Sequence, residues 1–188
     1  MELPNIVLLV SGNASLVEAL KHEQDRKFYG FAIAVIANQY CPAYQRAKEL
    51  GLDHFIAEDE AGMREVLDSR NPILIIAAGY NKILSADFAT KYRGKLVNFH
   101  PSLLPAFAGL FDTAVHQAVL GRGCRISGAT VHFIDADVDT GKIIFQLPVA
   151  VDGMDTPETL KKKISVVEAE LLPKLIGLAV DGKLGRLV

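Results

Sequence analysis

The strongest constraint on the fold is the recurrence of short apolar runs between helical stretches in the first hundred residues. "NIVLLV" (Asn5 to Val10), "FAIAVIAN" (Phe31 to Asn38), "DHFIA" (Asp53 to Ala57), "PILIIAAG" (Pro72 to Gly79) and "KLVNFH" (Lys95 to His100) form the series. Runs this short, rich in β-branched residues, read as strands, and the fully apolar ones as strands buried on both faces. Between them lie Ser15 to Gln24, "CPAYQRAKELG" (Cys41 to Gly51), "EDEAGMREVLDSR" (Glu58 to Arg70) and Ser85 to Tyr92, all with helical spacing. Pro42 and Gly51 punctuate one of these as helix ends do, and the acidic start of the next suits a helix dipole. The alternation predicts an α/β fold: a doubly wound, mostly parallel, Rossmann-like sheet with helices on both faces.

After residue 100 the pattern changes. A helix is expected near Ala114 to Leu120. "SGATVHFID" and "KIIFQLPVAV" then read as two strands joined by the short "ADVDTG" turn, so an antiparallel C-terminal strand pair follows. The last stretch reads as a long C-terminal helix. Asp155 or Thr156 caps it, Pro157 sits in its first turn, Pro173 should kink it, and Asp181-Gly182 ends it. The expectation is a single domain over residues 1–188, in two halves, 1–100 and 101–188. Half of the residues are hydrophobic and 22% are charged, which is enough for one buried core. A net charge of −2 argues against a nucleic-acid partner. The basic run Lys161-Lys162-Lys163 reads as a solvated helix face. The apolar run near the start is too short for a signal peptide or a span, so a cytoplasmic protein with no membrane partner is expected. Cys41 and Cys124 form no CxxC, and no two histidines have ligand spacing, so no metal is expected.

Four stretches fall at the carboxyl ends of the expected strands, where ligands gather in such folds: "SGNAS", "AAGYNKIL", "NFHPSLLP" and "DVDTG". A small-residue turn leading into a helix, as in "SGNAS", suits an anion, although a plain turn capped by Asn13 or Ser15 is the structural alternative. Asp135, Asp137 and Asp139 do not make a calcium loop, because Thr140 and Gln146 stand where glycine and glutamate would be needed. Asp135 and Asp137 fit a polar hairpin, and Asp139 is the one that would reach a site. His132 reads as a core histidine satisfied by a hydrogen bond, while His116 is ambiguous. No GxSxG elbow supplies a serine nucleophile. Asn98 and His100 share one face of a strand end, which Pro101 then stops. An amide that holds an oxyanion and an imidazole that carries a proton suit attack on a carbonyl by a substrate's own nucleophile.

"NFHPSLLP" followed by "TVHFIDADVDTGKII" resembles the formyltransferases that use 10-formyltetrahydrofolate. With the opening "IVLLVSGNAS", the chain is most similar to one branch of them, the phosphoribosylglycinamide (GAR) formyltransferases of purine synthesis. The resemblance implies the formyltransferase fold and formyl transfer to the amine of glycinamide ribonucleotide. It makes Asn98, His100 and Asp139 the catalytic trio. Asn98 and protonated His100 would stabilise the oxyanion, with Asp139 keeping the His100 pKa up. It places 10-formyltetrahydrofolate, a co-substrate, near Tyr80, Asn81, Lys82, Ile83, Leu84, Val97, Ile134, Asp135 and Asp137. It places the phosphoribosylated amine near Gly12, Asn13, Ala14, Ser15, Pro101, Ser102 and Glu168, with Glu168 on the ribose. Residues 1–100 become the acceptor-side half and 101–188 the folate-side half. Both partners are small molecules, and the oligomeric state stays open between monomer and homodimer. Ala14 and Leu16 stand where the family's S-G-N-G-S-N loop has glycine and asparagine, Ser165 stands for a glutamine, and the segment after Gly109 runs about three residues longer. These departures keep alternatives in view. They are transfer to another amine such as an amino sugar nucleotide, hydrolysis of the formyl-folate, and a non-catalytic folate-binding module.

Overall fold

A computed structural model describes residues 3–188. Its strands are β1 (Asn5–Val10), β2 (Ala32–Ala37), β3 (Asp53–Ile56), β4 (Leu74–Ala78), β5 (Leu96–His100), β6 (Ile126–Phe133) and β7 (Ile143–Ala150). Its α-helices are α1 (Ser15–Asp25), α2 (Pro42–Glu49), α3 (Glu60–Arg70), α4 (Ala86–Lys91), α5 (Thr113–Gly121) and α6 (Pro157–Val180). The strands form one seven-stranded sheet in the order β3-β2-β1-β4-β5-β6-β7. The first five are parallel, and β6 and β7 are antiparallel. The expected fold class and its antiparallel tail are therefore both present. The sheet continues across the boundary at residue 100, because β5 pairs directly with β6.

Side-chain alternation divides the core between the two faces of the sheet. Ile6, Leu8 and Val10 of β1 enter the larger cluster, with α1, α2, α5 and α6. Val7 and Leu9 of the same strand enter the smaller one, with α3 and α4. The helix starts follow local chemistry. Asp59 accepts from the Gly62 amide, Ser85 accepts from the Phe88 amide, and Thr156 forms a reciprocal box with Thr159. Pro42 and Pro157 occupy first-turn positions. α6 continues as one helix through Pro173. Pro148 lies on β7, the strand at the sheet's edge, where a missing amide costs no ladder bond to an outer neighbour.

Strand order reverses between β1 and β4, and that is where such sheets leave a crevice at their carboxyl ends. Ser11 and Gly12 follow β1, Gly79 follows β4, and Asn98 to His100 end β5, so all three strand ends open on one place. The hairpin between β6 and β7 reaches the same end through a very close approach. A Cβ on Gly141 would lie 1.7 Å from the Phe133 carbonyl oxygen. Gly141→Ala should therefore destabilise the protein by more than about 3 kcal/mol in urea unfolding, since backbone must move to admit the methyl. Gly12→Ala adds a methyl with nothing within 4 Å. Its unfolding curve should stay within about 0.5 kcal/mol of the parent.

Candidate active site

Asp139 is the centre of the site. It leaves the hairpin turn with φ at 57°, a left-handed conformation that aspartate tolerates better than most side chains. Its side chain is 6% exposed. Oδ2 accepts from the Gly109 amide at 2.8 Å and lies 3.3 Å from His100 Nδ1. Oδ1 lies 3.5 Å from His132 Nε2. His132 Nε2 is also 3.1 Å from Asn98 Nδ2, because β6 pairs antiparallel with β5 in a register that sets His132 opposite Asn98. The His132 Nδ1 is 2.8 Å from the Phe133 carbonyl, which can only accept, so Nδ1 carries a proton. In the neutral ring Nε2 then accepts from the Asn98 amide, which keeps its second N–H for another partner. Four side chains from β5, β6 and the β6–β7 turn thus form one network.

The electrostatics follow from burial. Burial pushes the Asp139 carboxyl up, but His132, the Gly109 amide and His100 outweigh it and hold it below the ordinary carboxylate range. Burial pushes the His100 imidazole down; Asp139 raises it and His132 lowers it, and the net direction is downward. Asp139 acts on His100 in the expected direction, but it does not outweigh burial. The carboxylate does raise the His100 pKa, yet the ring is 3% exposed and its desolvation dominates. His100 Nδ1 faces Asp139 Oδ2, and its Nε2 is buried without a hydrogen-bond partner among the described residues.

Two cavities meet at this network. The larger, about 270 Å³, is lined by Ser11, Gly12, Asn13 and Ser15, by His100 and Pro101, and by Lys161, Ser165 and Glu168. The smaller is lined by Tyr80, Lys82, Ile83, Leu84 and the stretch Ile134 to Asp139, with His132 at its inner wall. Asn98, Tyr80 and Phe111 border both. Asp135 and Asp137 form the polar turn expected of them, Asp135 Oδ1 accepting from the Thr140 hydroxyl and the Asp137 amide. The larger cavity draws residues from both halves of the chain, so the division at residue 100 does not separate two ligand sides.

Several candidates lie elsewhere. Asn81 faces the larger cavity, not the smaller; its amide donates to Ser11 Oγ and its Oδ1 accepts from Asn38. The Val97 side chain alternates away from Asn98 and is fully buried in the core. Ser102 is buried beneath the proline-rich turn, its hydroxyl donating to the Ala106 carbonyl. Ala14 borders neither cavity. It is the N-cap of α1 with φ at −102°, so an alanine there meets no left-handed strain, and no side chain caps the helix. Asn13 Oδ1 instead accepts from the Ser15 amide and hydroxyl.

His132 and Lys161 were missed. His132 is the satisfied core histidine its strand suggested, but it also touches Asn98 and Asp139. Lys161 belongs to a charge run, yet Lys161, Ile164, Ser165 and Glu168 all line the larger cavity. Their spacing of three, four and seven residues marks one helix face, and counting back from Glu168 would have found it. Burial pushes the Glu168 carboxyl up to about 8, against the pull of Lys161. A carboxyl raised in the folded state stabilises it fully below the unfolded value near 4.5 and loses that contribution as pH rises through about 8. Denaturant midpoints of the parent should therefore fall between those pH values relative to Glu168→Gln. Parallel curves would rule the shift out.

The comparisons agree with this geometry. Residues 4–176 match the model of the formyl transferase family. Phosphoribosylglycinamide formyltransferase of Mycobacterium tuberculosis is 34% identical over 89% of this chain and 80% of its own length. The trifunctional purine biosynthetic protein adenosine-3 of Bos taurus is 33% identical over 94% of this chain, which spans only 18% of that longer protein. The crystal structure of phosphoribosylglycinamide formyltransferase from Anaplasma phagocytophilum superposes with a TM-score of 0.88 at 31% identity, covering 95% of this chain and 87% of that one. With the sheet order, the two-cavity site and a match over most of its length, the chain belongs to the formyl transferase family.

Proposed function

We propose that this protein transfers the formyl group of 10-formyltetrahydrofolate to the amine of glycinamide ribonucleotide, a step of purine synthesis. One observation carries the reading. The network of Asn98, His100, His132 and Asp139 lies where two cavities meet, so two ligands bound side by side would present an amine and a formyl carbon to the same groups. The smaller cavity suits the folate ring: Ile83, Leu84, Ile134 and Val138 offer apolar surface, and the turn from Ile134 to Asp139 offers backbone partners. The larger cavity suits the phosphoribosyl amine, with Glu168 available to a sugar hydroxyl. The named relatives of similar length support the choice of acceptor.

The chemistry needs no nucleophile from the protein. The amine nitrogen attacks the formyl carbon, and the carbonyl π pair moves to oxygen. The free N–H of Asn98, aimed by His132, donates to that oxyanion. The unpartnered Nε2 of His100 takes the proton that the nitrogen sheds, and Asp139 stabilises the imidazolium that results. As the carbonyl re-forms, the carbon–nitrogen bond to the folate breaks. Its electron pair goes to the folate nitrogen, which receives the proton from His100. Loss of the His100 proton acceptor should cost roughly 100- to 10,000-fold in kcat, and loss of the Asn98 donor roughly 100- to 1,000-fold.

The direct test is steady-state formylation with purified protein, glycinamide ribonucleotide and an amino sugar nucleotide as rival acceptors. Formylation of the ribonucleotide supports the reading; turnover of the sugar nucleotide alone would replace it. His100→Ala and Asn98→Ala should show the losses above with unchanged thermal unfolding, and a turnover close to the parent's in either would remove the mechanism. The second prediction concerns pH. The His100 ring, followed by NMR, should titrate below the ordinary value of about 6.5, and lower still in Asp139→Asn, because the carboxylate is the group that raises it. The acid limb of kcat should move down with it. A ring that titrates above the ordinary value, with an alkaline limb that shifts in Asp139→Asn, would restore a protonated His100 as the working form.

A further inference from the structure

The acceptor cavity has a charge problem. Its loop from Ser11 to Ser15 offers an anion backbone amides, the Asn13 Nδ2 donors and the Ser11 hydroxyl, but every one of these groups is neutral. Asn13 Oδ1 takes both the amide and the hydroxyl of Ser15, and Ser11 Oγ accepts from the Asn81 amide. Leu16 is buried and apolar. No lysine or arginine stands on that loop. Among the described residues that line the cavity, Lys161 is the one Lys or Arg. It projects from the same α6 face as Ser165 and Glu168. Its Nζ is paired with Asp112, whose side chain is 64% exposed. Asp112 holds a left-handed backbone, with φ at 45° and ψ at −126°. Beside this pair lies His116, which is 1% exposed, lines the cavity, and has its Nδ1 buried without a partner among the described residues. The charges of Lys161 and Asp112 both act on its ring.

We propose that Lys161, with His116 beside it, is the anion-recognition element of the acceptor cavity, taking the phosphate of a phosphorylated amine, and that Asp112 is the resting counter-ion which that phosphate displaces. The proposal rests on the acceptor reading above and gives it a specificity device. A phosphate monoester needs a cation and several donors. The loop amides, the Lys161 ammonium and the His116 ring supply these within one cavity of about 270 Å³. The Asp112 carboxylate keeps the lysine paired until an anion with more charge arrives. It also makes the segment after Gly109 part of acceptor recognition, because Asp112 lies on that segment and pairs with Lys161 of α6.

The test is calorimetric binding of ribose 5-phosphate and of glycinamide ribonucleotide to the full chain. Lys161→Met should weaken both by about tenfold or more, the worth of a charge-assisted hydrogen bond, while Lys161→Arg stays within about threefold of the parent. His116→Phe should weaken both by about threefold. Asp112→Asn should tighten both, because it removes the competitor, and the Lys161→Met, Asp112→Asn double variant should bind like Lys161→Met alone. Unchanged binding in Lys161→Met, or weaker binding in Asp112→Asn, would overturn the proposal. If Lys161→Met does not fold, Lys161→Gln takes its place. The two readings fail separately. Lys161-dependent binding of ribose 5-phosphate, without formylation of the ribonucleotide, would support this site and sink the proposed reaction. Formylation with an acceptor KM untouched in Lys161→Met would do the reverse.

Discussion

One buried carboxylate holds the site together. Asp139 accepts the Gly109 amide and faces both His100 and His132, so it joins the proline-rich segment, the end of β5 and the end of β6. Removing a charge from water is unfavourable, and the Gly109 amide on Oδ2, with the two imidazoles beside the carboxylate, offsets it. The left-handed turn that delivers Asp139 depends on Gly141 packing against the Phe133 carbonyl. Chemistry and hairpin geometry are therefore one constraint: a hairpin that cannot close tightly cannot present the carboxylate.

The rest of the fold brings two cavities to that carboxylate. The reversal of strand order between β1 and β4 opens a crevice at the carboxyl end of the sheet. The antiparallel return of β6 closes it on one side and supplies His132. α6 closes it on the other with Lys161, Ser165 and Glu168. Asn98 stands at the partition, bordering both cavities. In the proposed reaction a donor and an acceptor in these cavities would meet over a proton carrier and an amide, with the protein contributing position and dipoles and no covalent intermediate.

Strands and helices were legible because their patterns are local. β1 and the helix starts at Pro42 and Pro157 stand where apolar runs and prolines put them. Asn98 and His100 were legible as a pair because strand alternation fixes their common face. The partner of Asn98 was not, because alternation does not set the register between β5 and β6, and a shift of one residue would have turned His132 away. Lys161 was hidden by its neighbours: Lys162 is exposed and Lys163 pairs with Asp155, so the run looks solvated although one member faces the cavity. The loop at Ala14 was read through its glycine-bearing relatives, but its backbone is ordinary, and what changes there is side-chain chemistry. The pKa direction of His100 was lost for a related reason. A charged neighbour can be read from a motif, whereas the depth of burial that outweighs it depends on the packed structure.

The central claim is that one formyl group passes directly from folate to amine at Asn98 and His100. It is tested most directly by following a carbon-13 formyl label from 10-formyltetrahydrofolate in a single turnover with purified protein and glycinamide ribonucleotide. The label should appear on the ribonucleotide amine, with tetrahydrofolate released in equal amount and no labelled formate. Labelled formate in place of the formylated amine would mean that water is the acceptor and would contradict direct transfer to the amine.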